Sequence, residues 1–446
     1  MTTPTQIAII GGGPAGITAA IEAAQSGAHV TLISDGPVGG RAGWASLLPS
    51  KVLLHAAEEH TDSATRLPAA DIQALTAHIK QVAAAFNGQE ADRLAAAGVT
   101  VITGKAQFSS PHSLTITTAE GSSELAFDRA IIASGSVPIF PPDVKPDGKR
   151  IIAPRFVSQL SDLADSMLVI GGGVTGTEFV YALSALGIRV TWLVNQSGVL
   201  PDFDRSLAHA LTESLLAQGV TLVEGTATAS LQATETDVTA TLADGRTFRA
   251  EKAFLAIGRR PDAGGLNLDA AGLSATANGL SVDAFARTAV PHIFAAGDIT
   301  GSPLIANKAQ AQAWIAARTA VGVTAIPPKP AAWIEAAFSH PQVAQVGLTP
   351  DRAAAQGIDV RSRTFPYAQA LKPYLTESGL DGPGFVTLVT DPDSGRVLGG
   401  LAFGYHAAEV LDPIALAIQA DLSADHLAAL FPAYPSLSEL AFMASR

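Results

Sequence analysis

The sequence predicts an α/β fold: two doubly wound units followed by a C-terminal α+β domain. Three observations carry that expectation. An apolar strand runs into GGGPAG at residues 11–16 and then into a helical stretch, and the same order recurs 160 residues later at GGGVTG, residues 171–176. Beyond Pro327, Pro328 and Pro330 no such turn appears, and apolar strands alternate with Ala/Leu-rich helices. Each strand, glycine turn and helix is the pattern that lets a backbone approach a pyrophosphate and point a helix N-terminus at it. Two of them in one chain imply two dinucleotides, a more specific signal than either alone.

In the first unit a strand is expected over 6–10 and a helix from Pro14 and Ala15 to about Ser26, with a second strand over 28–33. Gly11, Gly13 and Gly16 supply the tight turn and the close backbone approach. The acid that normally ends the second strand, to bind a ribose hydroxyl, is displaced: Ser34 stands there and Asp35 follows. The second unit repeats the pattern, with a strand over 167–170, Gly171, Gly173 and Gly176 in the turn, a helix over 177–186 and a strand over 189–194. Two small-residue turns, ASGSVP at 133–138 with Ser134 and Gly135, and AIGRRP at 256–261 with Gly258, mark where the chain crosses between units. The segment TAVPHIFAAGD, 288–298, reads as a buried strand ending in Gly297 and Asp298, a carboxylate placed to accept bonds from ribityl hydroxyls. In the last part, strands are expected over 384–389 and 397–403 and helices near 406–420 and 424–430. The expected domains are 1–145, 146–265, a segment returning to the first domain at 266–326, and 327–446.

Composition narrows the function. Hydrophobic residues make up 48 % and charged residues 15 %, which excludes a disordered chain. With 28 Lys plus Arg against 40 Asp plus Glu, the formal charge is −12, and no basic stripe offers itself to a phosphate backbone, so nucleic acid is not an expected partner. The chain has no cysteine, which removes disulfides, thiolate metal sites and thiol nucleophiles together. His55 and His60 on an Ala-rich helix read as ordinary helix positions, and no metal is expected. No apolar run reaches the ~18 residues that span a bilayer. MTTPTQ leads into the first strand without a basic or cleavable leader, so the expected location is cytoplasmic.

The ordered motifs resemble the FAD-dependent pyridine nucleotide-disulfide oxidoreductases, the family of dihydrolipoamide dehydrogenase and glutathione reductase, over essentially the whole chain. The resemblance implies an FAD domain, an inserted NAD(P) domain, a returning FAD segment and a C-terminal dimerisation domain, hence FAD, NAD(P)H and a homodimer. It gives Gly11, Gly13, Gly16, Gly297 and Asp298 to FAD, with Asp35 as the replacement ribose acid. It also gives the hydride-transfer pair to Lys51 and Glu178: positive charge beside the flavin favours its reduced, anionic ring, and a buried ammonium needs a carboxylate partner.

One part of the family pattern is missing. Residues 39–51 read GGRAGWASLLPSK, keeping the Gly-Gly pair, Gly40 included, and the closing Pro-Ser-Lys. Ala42 and Leu47 occupy the two redox-cysteine positions. The family's C-terminal catalytic His is Tyr434, while the Glu that orients it remains as Glu439. These two stand as candidate catalytic residues, but an unperturbed phenol titrates near pH 10 and cannot replace an imidazole at neutral pH. Three losses confined to dithiol chemistry imply that reduced flavin passes its electrons elsewhere. The expected acceptor is a small molecule such as a quinone, reached over the apolar face left by Ala42 and Leu47, with Arg41 its one charged newcomer. An electron-transfer protein is a variant of the same reading. Soluble NAD(P) transhydrogenation is an alternative, and a degenerate FAD-binding subunit without turnover is another. At the end of the second unit's strand, Val194 holds the acidic position and no arginine follows closely; Asn195 or Gln196 offers a neutral partner for a 2′-hydroxyl, and the lack of positive charge disfavours a 2′-phosphate, which favours NADH.

Overall fold

The computed structural model describes residues 4–60, 67–141, 144–160, 162–375 and 384–446. The chain divides into two compact units, one of Met1–Ser50, Ala77–Ile139 and Gly258–Pro328, the other of Lys51–Thr76, Phe140–Ile257 and Lys329–Arg446.

The first unit is built on a five-stranded parallel sheet in the order Ile293–Ala295, Arg129–Ile132, Gln6–Ile10, His29–Ser34, Thr100–Thr103. Its central strands are apolar almost throughout, as a parallel sheet covered on both faces requires. The helix Pro14–Gln25 packs against Ala306–Ala320 through Ala19, Ala20 and Ala23 on one side and Ala313, Ala316 and Ala317 on the other, all fully buried. Alanine on both faces lets the two backbones come close. The returning segment thus rests on the first helix.

The second unit repeats the parallel sheet, in the order Thr221–Val223, Arg189–Leu193, Ser166–Ile170, Lys252–Leu255, Ile151–Ile152. It also holds an antiparallel sheet in the order Glu335–Ala337, Gln342–Gly347, Val397–Gly404, Phe385–Thr390, Arg361–Pro366, backed by the helix Asp412–Gln419. The helices expected near 406–420 are two, Ala407–Val410 and Asp412–Gln419, and that near 424–430 is Ala424–Ala428.

The chain passes between the units at 50/51, 76/77, 139/140, 257/258 and 328/329. The antiparallel pairing of Ser136–Pro138 with Arg259–Pro261 lies within the first unit. Each unit also carries a three-stranded antiparallel sheet that the sequence reading did not anticipate: Lys105–Ser110, Ser113–Thr117 and Ser122–Ala126 in one, Thr228–Ala233, Val238–Leu242 and Thr247–Ala250 in the other. Among the described residues no helix is long and apolar enough to cross a membrane, and no group of three or more His, Cys, Asp or Glu could hold a metal ion.

Candidate active site

The first glycine turn closes on itself. Gly11 has φ +115°, and a Cβ there would run into the Ala133 carbonyl; one on Gly16 would run into the carbonyl of Gly11. Only hydrogen fits at either position. Gly13 caps the helix Pro14–Gln25 without any side-chain cap, and the space where its Cβ would sit is open. Unpaired N–H groups at a helix start, facing open space, suit an anionic group such as a pyrophosphate.

Other segments of the unit close around this turn. Gly40 lies against Gly13, 2.9 Å from its own would-be Cβ to the Gly13 Cα, and Gly297 (φ +82°) sits over Ala15. The Gly297 N–H donates to Gln312 Oε1 (3.0 Å), and the Asp298 carboxylate accepts from the Ser136 hydroxyl (2.5 Å). Ser134 Oγ donates to the Asp262 carbonyl (2.6 Å) and Gly135 O accepts from the Asp262 N–H, while Gly258 O accepts from the Ile139 N–H. Ser134, Gly135 and Gly258 are therefore engaged in the crossing itself. Ser34 is buried against Gly12, whereas Asp35 is exposed, with Lys105 Nζ 4.0 Å away.

Two cations converge on the crossing. Arg259 donates to the Ser136 hydroxyl (2.9 Å) and carbonyl (2.8 Å), and burial lowers its pKa. Arg41 donates to the same carbonyl (2.7 Å) and to Asp262 (3.1 Å), so it is anchored rather than free in solvent.

Lys308, in the first turn of Ala306–Ala320, is 2 % exposed; its ammonium donates to the Gly301 carbonyl, and burial pushes its pKa down to about 8 despite Asp298 nearby. A lysine whose folded-state value lies below its ordinary 10.5 disfavours folding whenever it is charged, so that cost is present below about pH 8 and fades as pH rises towards 10.5. Lys308→Met is expected to melt about 2 °C or more above the parent at pH 7, with the gap closing by pH 10. Melting curves of the FAD-loaded protein across that range check it.

The former redox loop is ordered. Gly40–Ala45 and Leu47–Glu59 are helices; Ala42 is half-buried, and Leu47 is 42 % exposed. The Trp44 indole donates to the Val38 carbonyl (2.7 Å). Asn87, 2 % exposed on the helix Ala69–Ala96, donates to the Gly43 carbonyl (3.2 Å), and its Oδ1 lies where Cβ atoms on Gly39 and Gly43 would go. Together with Arg41, these contacts hold a cysteine-free loop in one shape.

In the second unit Gly171 (φ +123°) sits under the Ala256 carbonyl, Gly176 against Gly171, and Gly173 caps Val174–Ala185 with neither a side-chain cap nor a filled Cβ space. The buried Trp192 indole donates to the Gly171 carbonyl (2.8 Å) and fixes the turn from below. Val194 is 1 % exposed, and the Asn195 side-chain Oδ1 accepts from the Ser197 N–H (3.0 Å).

Lys51 and Glu178 meet as the resemblance implied, Nζ to Oε1 at 2.6 Å. Glu178 is 4 % exposed, and the same oxygen accepts from the Phe338 N–H (3.0 Å) while the Phe338 ring lies 4.5 Å under the Lys51 ammonium. A carboxylate with a cation and an amide donor is satisfied, and the cation has a π face as well. Tyr434 is 71 % exposed, and no hydrogen bond joins it to Glu439. Glu439 Oε1 is buried without a hydrogen-bond partner, and burial raises its pKa.

Phe338, Asn87, Arg259, Lys308 and Trp192 were not found by sequence reasoning. Arg259 lies beside Gly258 in the crossing turn and was within reach of it; the others carry no local motif.

Family comparison agrees with this architecture. The model of the pyridine nucleotide-disulphide oxidoreductases matches residues 5–313, and that of the family's dimerisation domain matches 334–444. The chain belongs to that family. It is 34 % identical to an NAD(P)H dehydrogenase (quinone) of Mycobacterium tuberculosis over 97 % of this chain and 92 % of the relative. It is 32 % identical to a dihydrolipoyl dehydrogenase of Halobacterium salinarum over 98 % and 95 %. The crystal structure of LpdA from Mycobacterium tuberculosis superposes with a TM-score of 0.92 at 33 % identity, covering 99 % of both chains. As a pyridine nucleotide-disulphide oxidoreductase the protein uses FAD and NAD(P)H, and the two open, uncapped glycine cradles fit two pyrophosphates. It is an FAD-dependent NAD(P)H oxidoreductase.

Proposed function

We propose that the protein takes electrons from NAD(P)H and passes them from FAD to a non-disulfide acceptor, a quinone or a similar small planar molecule. The observation that carries this is the ordered loop at 39–51: no thiol stands at Ala42 or Leu47, yet Arg41, Trp44 and Asn87 hold the loop by dedicated hydrogen bonds. An eroded loop in an inactive subunit would have no reason to retain such contacts. The paired Lys51 and Glu178 and the intact turn at Gly171–Gly176 favour turnover in the same way. The Mycobacterium tuberculosis relative named for quinone reduction adds weight.

When bound, FAD supplies the two-electron relay. In this reading Gly11, Gly13, Pro14, Ala15, Gly16, Gly40, Gly297 and Asp298 hold it, and the turn at Gly171, Gly173 and Gly176 holds the coenzyme. Lys51, fixed by Glu178, carries the positive charge that favours reduced flavin. The working form is a homodimer, in which the exposed Leu416, Leu430 and Phe431 of the dimerisation domain would be covered by a second copy.

Anaerobic titration with NADH and with NADPH, followed in the flavin's visible band, tests the reading. Bleaching is expected, with return of the band when menadione is added. Return of the band with thio-NAD but not with menadione would replace quinone reduction by transhydrogenation, and a band that never bleaches would leave an FAD-binding subunit without turnover.

A further inference from the structure

In a doubly wound sheet a dinucleotide lies across the carboxyl ends of the strands, and the strand after the glycine turn usually ends in the acid that meets the adenosine ribose. Here that strand, Arg189–Leu193, ends in Val194, whose side chain is buried against Gly172. The neighbouring parallel strand is Thr221–Val223, and the Val194 N–H donates to the Val223 carbonyl (2.8 Å), so the next residue, Glu224, lies one step beyond the same sheet edge. Between them the turn at 195–198 folds back over the cradle: the Gly198 N–H donates to the Asn195 carbonyl, the Gly198 carbonyl abuts Gly172, and the Leu200 N–H donates to the Gly172 carbonyl (2.7 Å). Gly198 has φ +80°, and Glu224 Oε1 stands 3.5 Å from where its Cβ would be. A carboxylate from the third strand thus reaches the rim of the turn that the second strand leaves without one.

The surroundings leave that carboxylate available. Glu224 is exposed and has no ion pair or hydrogen bond among the described residues. The side-chain oxygen of Asn195 is occupied by Ser197. Arg205, the first basic residue after the turn, is held by Asp351 through two bonds of 3.1 and 3.0 Å, so it is not poised to meet a phosphate.

We infer that Glu224 is the acid that accepts hydrogen bonds from the adenosine ribose hydroxyls and rejects a 2′-phosphate, making NADH the preferred coenzyme. A hydroxyl bonded to a carboxylate gains a charge-assisted contact, whereas a phosphate dianion in the same place meets like charge. The inference rests on the proposed coenzyme cradle at Gly171–Gly176 and is independent of the electron acceptor.

The test uses the FAD-loaded protein and two fragments, 5′-AMP and 2′,5′-ADP, with dissociation constants measured by calorimetry at low salt for the parent and for Glu224→Gln. The parent is expected to prefer 5′-AMP by about tenfold or more, and Glu224→Gln to reduce that preference to about threefold or less. Because Glu224 is exposed, melting temperatures should coincide, so a changed ratio reports recognition rather than folding. NADH and NADPH dissociation constants, read from flavin bleaching, should move in parallel. An equal ratio in parent and variant, or a parent that prefers 2′,5′-ADP, overturns the inference. Fragment discrimination that depends on Glu224 in a protein whose flavin neither coenzyme bleaches would support it while sinking the proposed turnover.

Discussion

Replacing Lys51 by alanine is expected to slow reduction of the bound flavin by NADH about 100-fold, with FAD still bound. The argument begins with the carboxylate. Glu178 is buried on the helix Val174–Ala185 and shares one oxygen between the Lys51 ammonium at 2.6 Å and the Phe338 N–H at 3.0 Å. Removing the ammonium leaves a buried anion with one neutral donor, which costs about 1–3 kcal/mol of stability. Lys51 is itself one-third exposed, so water can enter its place, and the cost should fall near the lower end. The rate effect should be larger than the stability effect, because in the proposed role the Lys51 charge matters most as negative charge arrives on the flavin ring. Stopped-flow reduction under anaerobic conditions measures it. A rate within about threefold of the parent, with the melting temperature lowered, would make the pair a structural brace and nothing more.

The sequence made the fold legible where sterics act locally. Gly11 and Gly171 need backbone angles and clearances that only glycine meets, and those needs are written into six-residue turns. The short antiparallel sheets were not legible because half their residues are exposed, as in Lys105–Ser110 with its alternation of buried Ala106 and Phe108 and outward polar residues, and no long apolar run marks them. The Lys51 and Glu178 pair was found only through the family's pattern. Phe338, which completes it through its N–H on Glu178 and its ring under Lys51, lies 160 residues beyond Glu178 in a segment without a fingerprint. Asn87 was hidden for a related reason. Its effect is steric, filling the space that Gly39 and Gly43 leave empty, and it becomes visible only once the helix Ala69–Ala96 is packed against the loop. The anchoring of Arg41 was not legible because the residues that hold it, Ser136 and Asp262, come together only through the pairing of Ser136–Pro138 with Arg259–Pro261.

Gly171→Ala should separate the two cradles. Its φ of +123° is closed to a side-chain-bearing residue without strain of about 1–3 kcal/mol, and the new Cβ would meet the Ala256 carbonyl, which belongs to the neighbouring segment and cannot rotate away. The turn must therefore open, and the indole of Trp192 that bonds the Gly171 carbonyl from the core opposes that movement. The consequence falls on the coenzyme cradle: reduction by NADH is expected to drop 100-fold or more, since the pyrophosphate loses both its close backbone approach and the alignment of the Val174–Ala185 N-terminus. The first unit has its own turn, its own sheet and its own helix, so the protein should remain yellow, and dithionite should still bleach it as it does the parent. Chemical reduction intact with enzymatic reduction lost would locate the coenzyme at Gly171–Gly176. Loss of the flavin as well would mean that the second unit's turn supports FAD retention, and NADH reduction at the parent rate would mean that the coenzyme binds elsewhere.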